Sequence, residues 1–262
     1  MPQISYQPIF QGHLPADVTT RWSLIRAFIN FWCLPEHAPL IDRSTERTLW
    51  IERAESLIAG SISPAIRQWL ALAEEASIRQ APLIRDCLLV EPLEKHLHHP
   101  NIPPATIILM QGEGDIFWTV TNDRWVEEDP PVDVYQSFDE DASPYFVQYK
   151  SVSEFALAYI CTYNSFAINK QEAFTAFLSA DQRKEVRCWF DYSLVLESQN
   201  GSPHRFLELL EKKDLVAFVS ENNRLEITMF CNPDELEMPH FLRSALREQV
   251  RSRKEYKAML GR

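Results

Sequence analysis

The sequence predicts an α+β protein from three observations. The first part of the chain has apolar residues at helical spacing, the middle has short apolar runs bounded by turn residues, and the last part contains both patterns. The chain has 262 residues, 45% of them hydrophobic and seven of them tryptophan, which is enough to bury one large core or two smaller ones. We therefore expect a globular fold in which helices cover sheets.

The first third of the chain is predicted to be mainly helical. Residues 1–16 contain early prolines and little periodicity, so we expect a surface arm there. A first helix follows, because apolar residues recur at steps of three and four: Val18, Trp22, Ile25, Ile29 and Trp32. A second helix is expected to run from a cap at Ser44 or Thr45 to Gly60. A third begins at Ser63-Pro64, a capping serine before a proline at the first helical position.

The middle of the chain is predicted to form strands. The run at 87–93 is strand-like, and the continuous apolar run at 106–110 is expected to pair antiparallel with 115–121 through a Gly-Glu-Gly turn. Pro130 and Pro131 disfavour helix and cannot donate to a strand ladder. The strand at 132–135 is therefore expected to lie at a sheet edge or to enter the sheet from an edge.

The last part mixes helices and strands. Ser151 and Glu154 have the spacing of a capping box, which predicts a helix from there. After Asn169 a helical region is expected, with apolar residues at Phe174, Phe177, Leu178, Val186, Trp189 and Phe190. Strands are predicted at 204–210, 215–220 and 225–230, and a final helix at about 239–260. The only plausible internal boundary lies at 166–170.

The composition of the chain argues against several classes of function. A net charge of −11 argues against nucleic-acid binding, which needs clustered Lys and Arg, but it suits a basic protein partner. No apolar run reaches the roughly 20 residues that cross a membrane, and residues 1–20 do not resemble a secretory signal. Five scattered cysteines (Cys33, Cys87, Cys161, Cys188 and Cys231) indicate a cytoplasmic protein with reduced core thiols. Phosphate-binding glycine motifs are absent, so no cofactor is expected.

An acidic run after the second predicted strand is the candidate binding site. Its members are Glu127, Glu128, Asp129, Asp133, Asp139, Glu140 and Asp141. These carboxylates would steer a cationic protein, and Trp125 with Tyr135 would provide aromatic anchors beside them. The simpler interpretation is that charges and prolines on an edge strand prevent aggregation, and the two interpretations are compatible.

A histidine-rich loop offers a different kind of site. His96, His98 and His99 are possible metal ligands with Glu94 nearby, which leaves a metal-dependent hydrolase as one alternative and a solvated loop as the other. No cysteine adjoins a histidine in sequence and no GxSxG motif occurs, so no catalytic residues are predicted.

The order of several short motifs resembles the SUKH superfamily, which includes fungal cell-wall-assembly regulators and bacterial immunity proteins. The motifs are the helix start at 63–69, Trp118-Thr119-Val120, Asp129-Pro130-Pro131-Val132 and Val152-Ser153-Glu154-Phe155. The segments at 203–206 and 214–219 are similar to the carboxyl extension of longer bacterial members.

The resemblance implies a curved, mainly antiparallel sheet flanked by helices. It implies a SUKH-like α+β domain at 17–168 and a packed carboxyl-terminal extension of helix and β-hairpin at 169–262. It also implies binding instead of catalysis, with no cofactor and no metal, and often with a toxin as the partner. We therefore expect an immunity protein that neutralises a basic toxin domain through its acidic edge. The alternative is a regulatory or scaffold protein of cell-envelope or stress signalling that uses the same surface.

Overall fold

A computed structural model describes the chain at 6–32, 51–52, 55–56, 60–78, 106–112, 116–136, 148–163, 172–199, 206–220, 224–229 and 236–259. The chain forms two compact units. The central unit comprises Pro15–Asn169 and Leu196–Phe206, and the terminal unit comprises Met1–Leu14, Lys170–Val195 and Leu207–Arg262. The predicted α+β class is confirmed.

The central unit contains three described helices and an antiparallel sheet. The helices are α1 (Val18–Trp32), α2 (Pro64–Ile78) and α3 (Val152–Tyr163). The strands β1 (Thr106–Gly112), β2 (Ile116–Thr121), β3 (Val132–Gln136) and β4 (Gln148–Tyr149) pair in that order. A short 3-10 helix, Asn122–Arg124, follows β2.

Local sequence signals explain the starts of these helices. The Asp17 carboxylate accepts a hydrogen bond from the Thr20 amide at 2.6 Å before α1. Before α2, Ser63 Oγ accepts one from the Ile66 amide at 3.1 Å, as the sequence predicted. Before α3, Ser151 Oγ accepts one from the Glu154 amide at 3.2 Å.

Aromatic side chains from α2, α3 and the sheet form the core of the central unit. Trp69 of α2 packs edge-on against Phe155 of α3, with ring centroids 5.1 Å apart. Trp118 of β2 lies 6.1 Å from Phe155 and is buried. Such contacts add about 0.5–1.5 kcal/mol per pair beyond apolar burial. They hold α2 and α3 against one face of the sheet.

The strand after the two prolines is not an edge strand. β3 pairs with β2 on one side and, through Val132 and Asp133, with β4 on the other. Pro130 and Pro131 come before β3 and so remove no donor from its ladder. The prediction of an edge strand at 132–135 is therefore wrong.

The terminal unit contains a second antiparallel sheet and two helices. In chain order these are β5 (Glu172–Phe177), α4 (Ala180–Trp189), β7 (Phe206–Lys212), β8 (Leu215–Ser220), β9 (Arg224–Met229) and α5 (His240–Met259). Strand β6 (Tyr192–Gln199) starts in this unit, and its last residues pair with β4 in the central unit's sheet. Strands β7, β8, β9 and β5 pair in that order.

Two parts of the terminal unit differ from the sequence prediction. The segment 172–177, expected to be helical, is strand β5, because all six of its residues pair with β9. Strand β6 was not predicted at all. The strands β7, β8 and β9 and the helix α5 are confirmed close to their expected limits.

The beginning of the chain is packed, which contradicts the expected surface arm for residues 6–12. Tyr6 and Phe10 are each only 1% exposed. The buried Glu211 carboxylate of β7 accepts hydrogen bonds from the amides of Ile9, Phe10 and Gln11 at 2.8–3.0 Å, and from the Tyr6 hydroxyl. We name residues 6–12 the strap.

A left-handed turn lets the strap close around this carboxylate. Gln11 and Gly12 have φ angles of 50° and 82°. A side chain at Gly12 would also approach the carbonyl oxygen of Ser193 to 3.3 Å, so glycine suits this position in both respects.

Some predicted features lie outside the described residues. They are the strand at 87–93, the histidine loop at 94–104 and the boundary at 166–170. Of the second predicted helix, only 51–52 and 55–56 are described, and these are helical. Among the helices that the structure describes, none is both long and apolar enough to cross a membrane.

Candidate functional site

The first half of the predicted acidic run forms the connection between β2 and β3. We name residues 122–131 the acidic loop. It begins with the 3-10 helix Asn122–Arg124 and ends at the two prolines before β3. All of it lies in the central unit.

Trp125 anchors the loop from inside. Its side chain is 3% exposed, and its indole N–H donates to the carbonyl of Val120 at 2.9 Å. The Trp125 backbone carbonyl accepts a hydrogen bond from the Ser63 amide at 2.8 Å. Trp125 therefore also provides an acceptor for a backbone N–H group at the start of α2. The expectation of Trp125 as an exposed anchor for a partner is therefore wrong.

The start of α2 holds the loop at a second point. The Ala65 amide donates to the carbonyl of Glu128 at 3.2 Å, and the Glu127 amide closes a turn on the carbonyl of Arg124 at 3.1 Å. The Ala65 amide lies in the first turn of α2, where backbone N–H groups have no acceptor within the helix, and the Glu127 amide lies in a turn. The loop therefore provides acceptors for α2, and α2 fixes the backbone of the loop.

Asp129 faces inward and is neutralised within the molecule. Its carboxylate lies 2.8 Å from Nη1 of Arg21 on α1, and the two side chains are 8% and 15% exposed. It also accepts from the amide of Ser153 at 3.1 Å and from the Ser153 hydroxyl, at the amino terminus of α3. Asp129 is a structural link between α1 and α3 and is not available to a partner.

Glu154, in the first turn of α3, borders this ion pair. Its Oε2 atom is buried without a hydrogen-bond partner among the residues described. Burial, and to a lesser degree the nearby Asp129 charge, raises the pKa of the Glu154 carboxyl, against the opposing effects of Lys150 and Arg21. From the sequence, Glu154 was predicted only to cap the helix.

The tip of the loop points outward. Val126 is 70% exposed, and Asp123, Glu127 and Glu128 are all exposed. We name these four residues the acidic tip. An exposed aliphatic side chain thus lies within two or three residues of three exposed carboxylates, on a backbone that hydrogen bonds fix at Trp125 and Glu128. Of the nine predicted site residues, Glu127 and Glu128 are the two that the structure shows exposed.

The other predicted members are arranged differently. Asp133 lies in β3 and is half-buried, and burial raises the pKa of its carboxyl. Tyr135 is paired with Phe117 of β2, and the position of its side chain lies outside the described part of the structure. Asp139, Glu140 and Asp141 also lie outside it.

Sequence reasoning missed three residues that shape this site. Arg21 and Ser153 hold Asp129, and Val126 provides the apolar centre of the tip. A single exposed valine and a serine in a helix start have no distinctive pattern. The arginine lies 108 positions from its partner, so local spacing does not reveal the pair.

The described part of the chain contains Cys161 and Cys188 and none of the predicted metal ligands. Those residues contain no cluster of three or more His, Cys, Asp or Glu side chains that could hold a metal ion. His96, His98 and His99 lie outside them. Cys161 is buried in α3, whereas Cys188 is exposed on α4, contrary to the expectation that the thiols lie in the core.

Comparisons of the chain with models of protein families, with curated proteins and with solved structures found no match.

Proposed function

We propose that this protein is a non-enzymatic protein-binding module that contacts a basic partner through the acidic tip. The observation that carries the proposal is the exposure of Val126 among Asp123, Glu127 and Glu128 on a loop fixed by buried hydrogen bonds. A surface that is rigid before binding loses little conformational entropy when it binds.

The carboxylates and the valine have separate roles in this proposal. Long-range attraction between the carboxylates and Lys or Arg side chains of the partner raises the association rate and orients the encounter. Val126 contributes a small apolar contact that excludes water at the centre, and so slows dissociation. In line with the SUKH resemblance, the partner would be a basic toxin domain held inactive by this contact.

The electrostatic role is tested by reversing charge at the tip. The partner is first isolated by affinity capture, and its association rate is then measured at low and high salt. The double variant Glu127→Lys/Glu128→Lys should associate about tenfold more slowly at low salt, and the difference should shrink at high salt.

A matched control carries the same charge change elsewhere. Glu185 and Glu248 are exposed on α4 and α5 of the terminal unit, and their double replacement by Lys should slow association much less. If both double variants slow association equally, only net charge matters and the tip is not the contact surface.

The apolar role is tested by truncating Val126. Val126→Ala should leave the association rate unchanged and increase the dissociation rate a few-fold, as expected for one partly buried methyl pair. Because Val126 is 70% exposed in the free protein, the substitution should not affect the unfolding midpoint. An unchanged dissociation rate would remove Val126 from the proposed surface.

The proposed neutralisation of a toxic partner needs a separate measurement. The isolated partner should be toxic when produced alone and harmless when produced with the wild-type chain. The Lys double variant should protect less well, in proportion to its lost affinity. A partner that binds through the tip but is not toxic would leave the binding module intact and favour the regulatory alternative.

A further inference from the structure

Strand β5 lies at the end of the terminal unit's sheet. It pairs with β9 from Glu172↔Met229 to Phe177↔Arg224, and no other strand that the structure describes pairs with it. The outer side of such a strand carries N–H and C=O groups that can pair with another chain. Proteins commonly block such an edge, and here one side chain does so.

The side chain of Gln249, on α5, occupies the outer edge at Thr175. The Thr175 amide donates to Gln249 Oε1 at 3.4 Å, and Gln249 Nε2 donates to the Thr175 carbonyl. In an antiparallel strand, the N–H and C=O of one residue point to the same side. The carboxamide therefore takes the place that a peptide group of a neighbouring strand would occupy.

The sequence of β5 suits pairing with a copy of itself. In an antiparallel pair with Thr175 on the two-fold axis, Phe177 would stand opposite Ala173, and Phe174 opposite Ala176. A large residue thus faces a small one at each of these positions, which favours cross-strand packing. Phe177 is 74% exposed in the single chain, so this apolar surface is available at the edge.

We propose that Gln249 holds the β5 edge closed against two-fold antiparallel pairing with a second copy of this chain. Pairing requires the Gln249 side chain to leave Thr175, and its two hydrogen bonds to Thr175 oppose that movement. A symmetric contact of this kind closes on itself and stops at a dimer. The proposal uses only residues of the terminal unit and does not depend on the acidic tip.

The test removes the carboxamide from the whole chain. Gln249→Ala preserves helix propensity in α5, and it should tighten the dimer dissociation constant about a hundredfold, because each of the two protomers loses two opposing hydrogen bonds. Sedimentation equilibrium across a concentration series measures this constant for the variant and the wild type. The neighbouring exposed position provides the control, Glu248→Ala, which should behave as wild type.

A second substitution identifies the surface. Adding Phe177→Lys to Gln249→Ala places a charge on the exposed edge and should return the variant to wild-type association. Dimers that persist in this double variant form elsewhere and would overturn the proposal. A Gln249→Ala variant that associates no more than wild type would also overturn it.

A second substitution at Gln249, with a longer side chain than alanine, provides the test if Gln249→Ala does not fold. If circular dichroism shows that Gln249→Ala has lost structure, Gln249→Met keeps the length of the side chain and the helix propensity but cannot hydrogen-bond. It should show the same tightening, and a wild-type dissociation constant in a folded Gln249→Met protein would refute the blocking role.

Discussion

At the scale of single residues, the burial of each carboxylate determines its role in the acidic loop. Glu127 and Glu128 are exposed, whereas the adjacent Asp129 is paired with Arg21 and accepts two hydrogen bonds from Ser153. Removing one partner from a mostly buried ion pair leaves the other charge uncompensated, which costs more than the pair contributes. Three consecutive acidic residues therefore differ greatly in their expected mutational effects.

Asp129→Asn should lower the free energy of unfolding by about 2–4 kcal/mol, because the mostly buried Arg21 guanidinium loses its hydrogen-bonded carboxylate partner. Urea unfolding measures the change. Glu128→Gln, at the adjacent exposed position, is the matched control and should stay within about 0.5 kcal/mol of wild type. Equal urea unfolding midpoints for the two variants would show that the Asp129–Arg21 pair contributes no more to stability than an exposed surface charge.

Glu154 should make the protein less stable as pH rises. The pKa of its carboxyl in the folded state is raised above the ordinary value of 4.5, so between 4.5 and the raised value the folded state holds more protons than the unfolded state. Stability therefore falls with rising pH through that window. Glu154→Gln removes this titration and should be more stable than wild type at neutral pH by about 0.5 kcal/mol, since partial solvation screens the effect.

The measurement is the difference in unfolding free energy between Glu154→Gln and wild type at several pH values. The difference should be close to zero at acid pH and grow towards neutral pH. Glu127→Gln, which removes an exposed charge from the same unit, corrects for general surface effects. A difference that does not vary with pH would contradict the assignment.

At the scale of elements, two buried glutamates on β7 organise the terminal unit. Glu211 binds the strap, and Glu208 accepts from Arg187 Nε at 2.5 Å and from the Ser193 hydroxyl at 2.6 Å. The two residues are three positions apart, so their side chains lie on opposite faces of the strand. One face of β7 thus binds the beginning of the chain and the other binds α4.

Glu211→Gln should detach the strap, because the amide group of glutamine would place donor hydrogens against the backbone donors of Ile9, Phe10 and Gln11. We expect a loss of about 2 kcal/mol in unfolding free energy. Hydrogen exchange at those three amides should also become faster than in wild type. Lys213→Gln, an exposed change at the next turn, is the control.

Protection of the three amides that is unchanged in Glu211→Gln would show that packing of Tyr6 and Phe10 holds the strap. In that case the Glu211 carboxylate would only fill the available space. The hydrogen-exchange result therefore distinguishes polar from apolar attachment, which a change in stability alone does not.

Strand β5 shows why one element was predicted incorrectly. Phe174, Phe177 and Leu178 have helical spacing, but the segment has only six residues before the Ser179 cap of α4. Its partner β9 lies about fifty positions further along the chain. Pairing along the whole length of β9 outweighs a weak local helical preference, since strand stability depends on cross-strand neighbours.

At the scale of the whole molecule, each compact unit has its own apolar core, and the ends of the chain belong to the same unit. In the terminal unit, Leu242 and Leu246 of α5 pack in a cluster with Val186 and Phe190 of α4. The central unit has the aromatic cluster around Phe155. The net charge of −11 is a property of the whole chain and does not show which carboxylates face a partner.

The sequence by itself determined the α+β class, most of the helices and the pairing of β1 with β2, because caps, turn residues and apolar spacing act over a few neighbouring residues. Only the tertiary structure decided that Trp125 and Asp129 face inward, that β3 is covered on both sides and that residues 6–12 are packed. Burial and ion pairing depend on residues far apart in the chain, such as Arg21 and Asp129. No local sequence pattern specifies such a contact. The residues that remain exposed to a partner are therefore determined only by the folded structure.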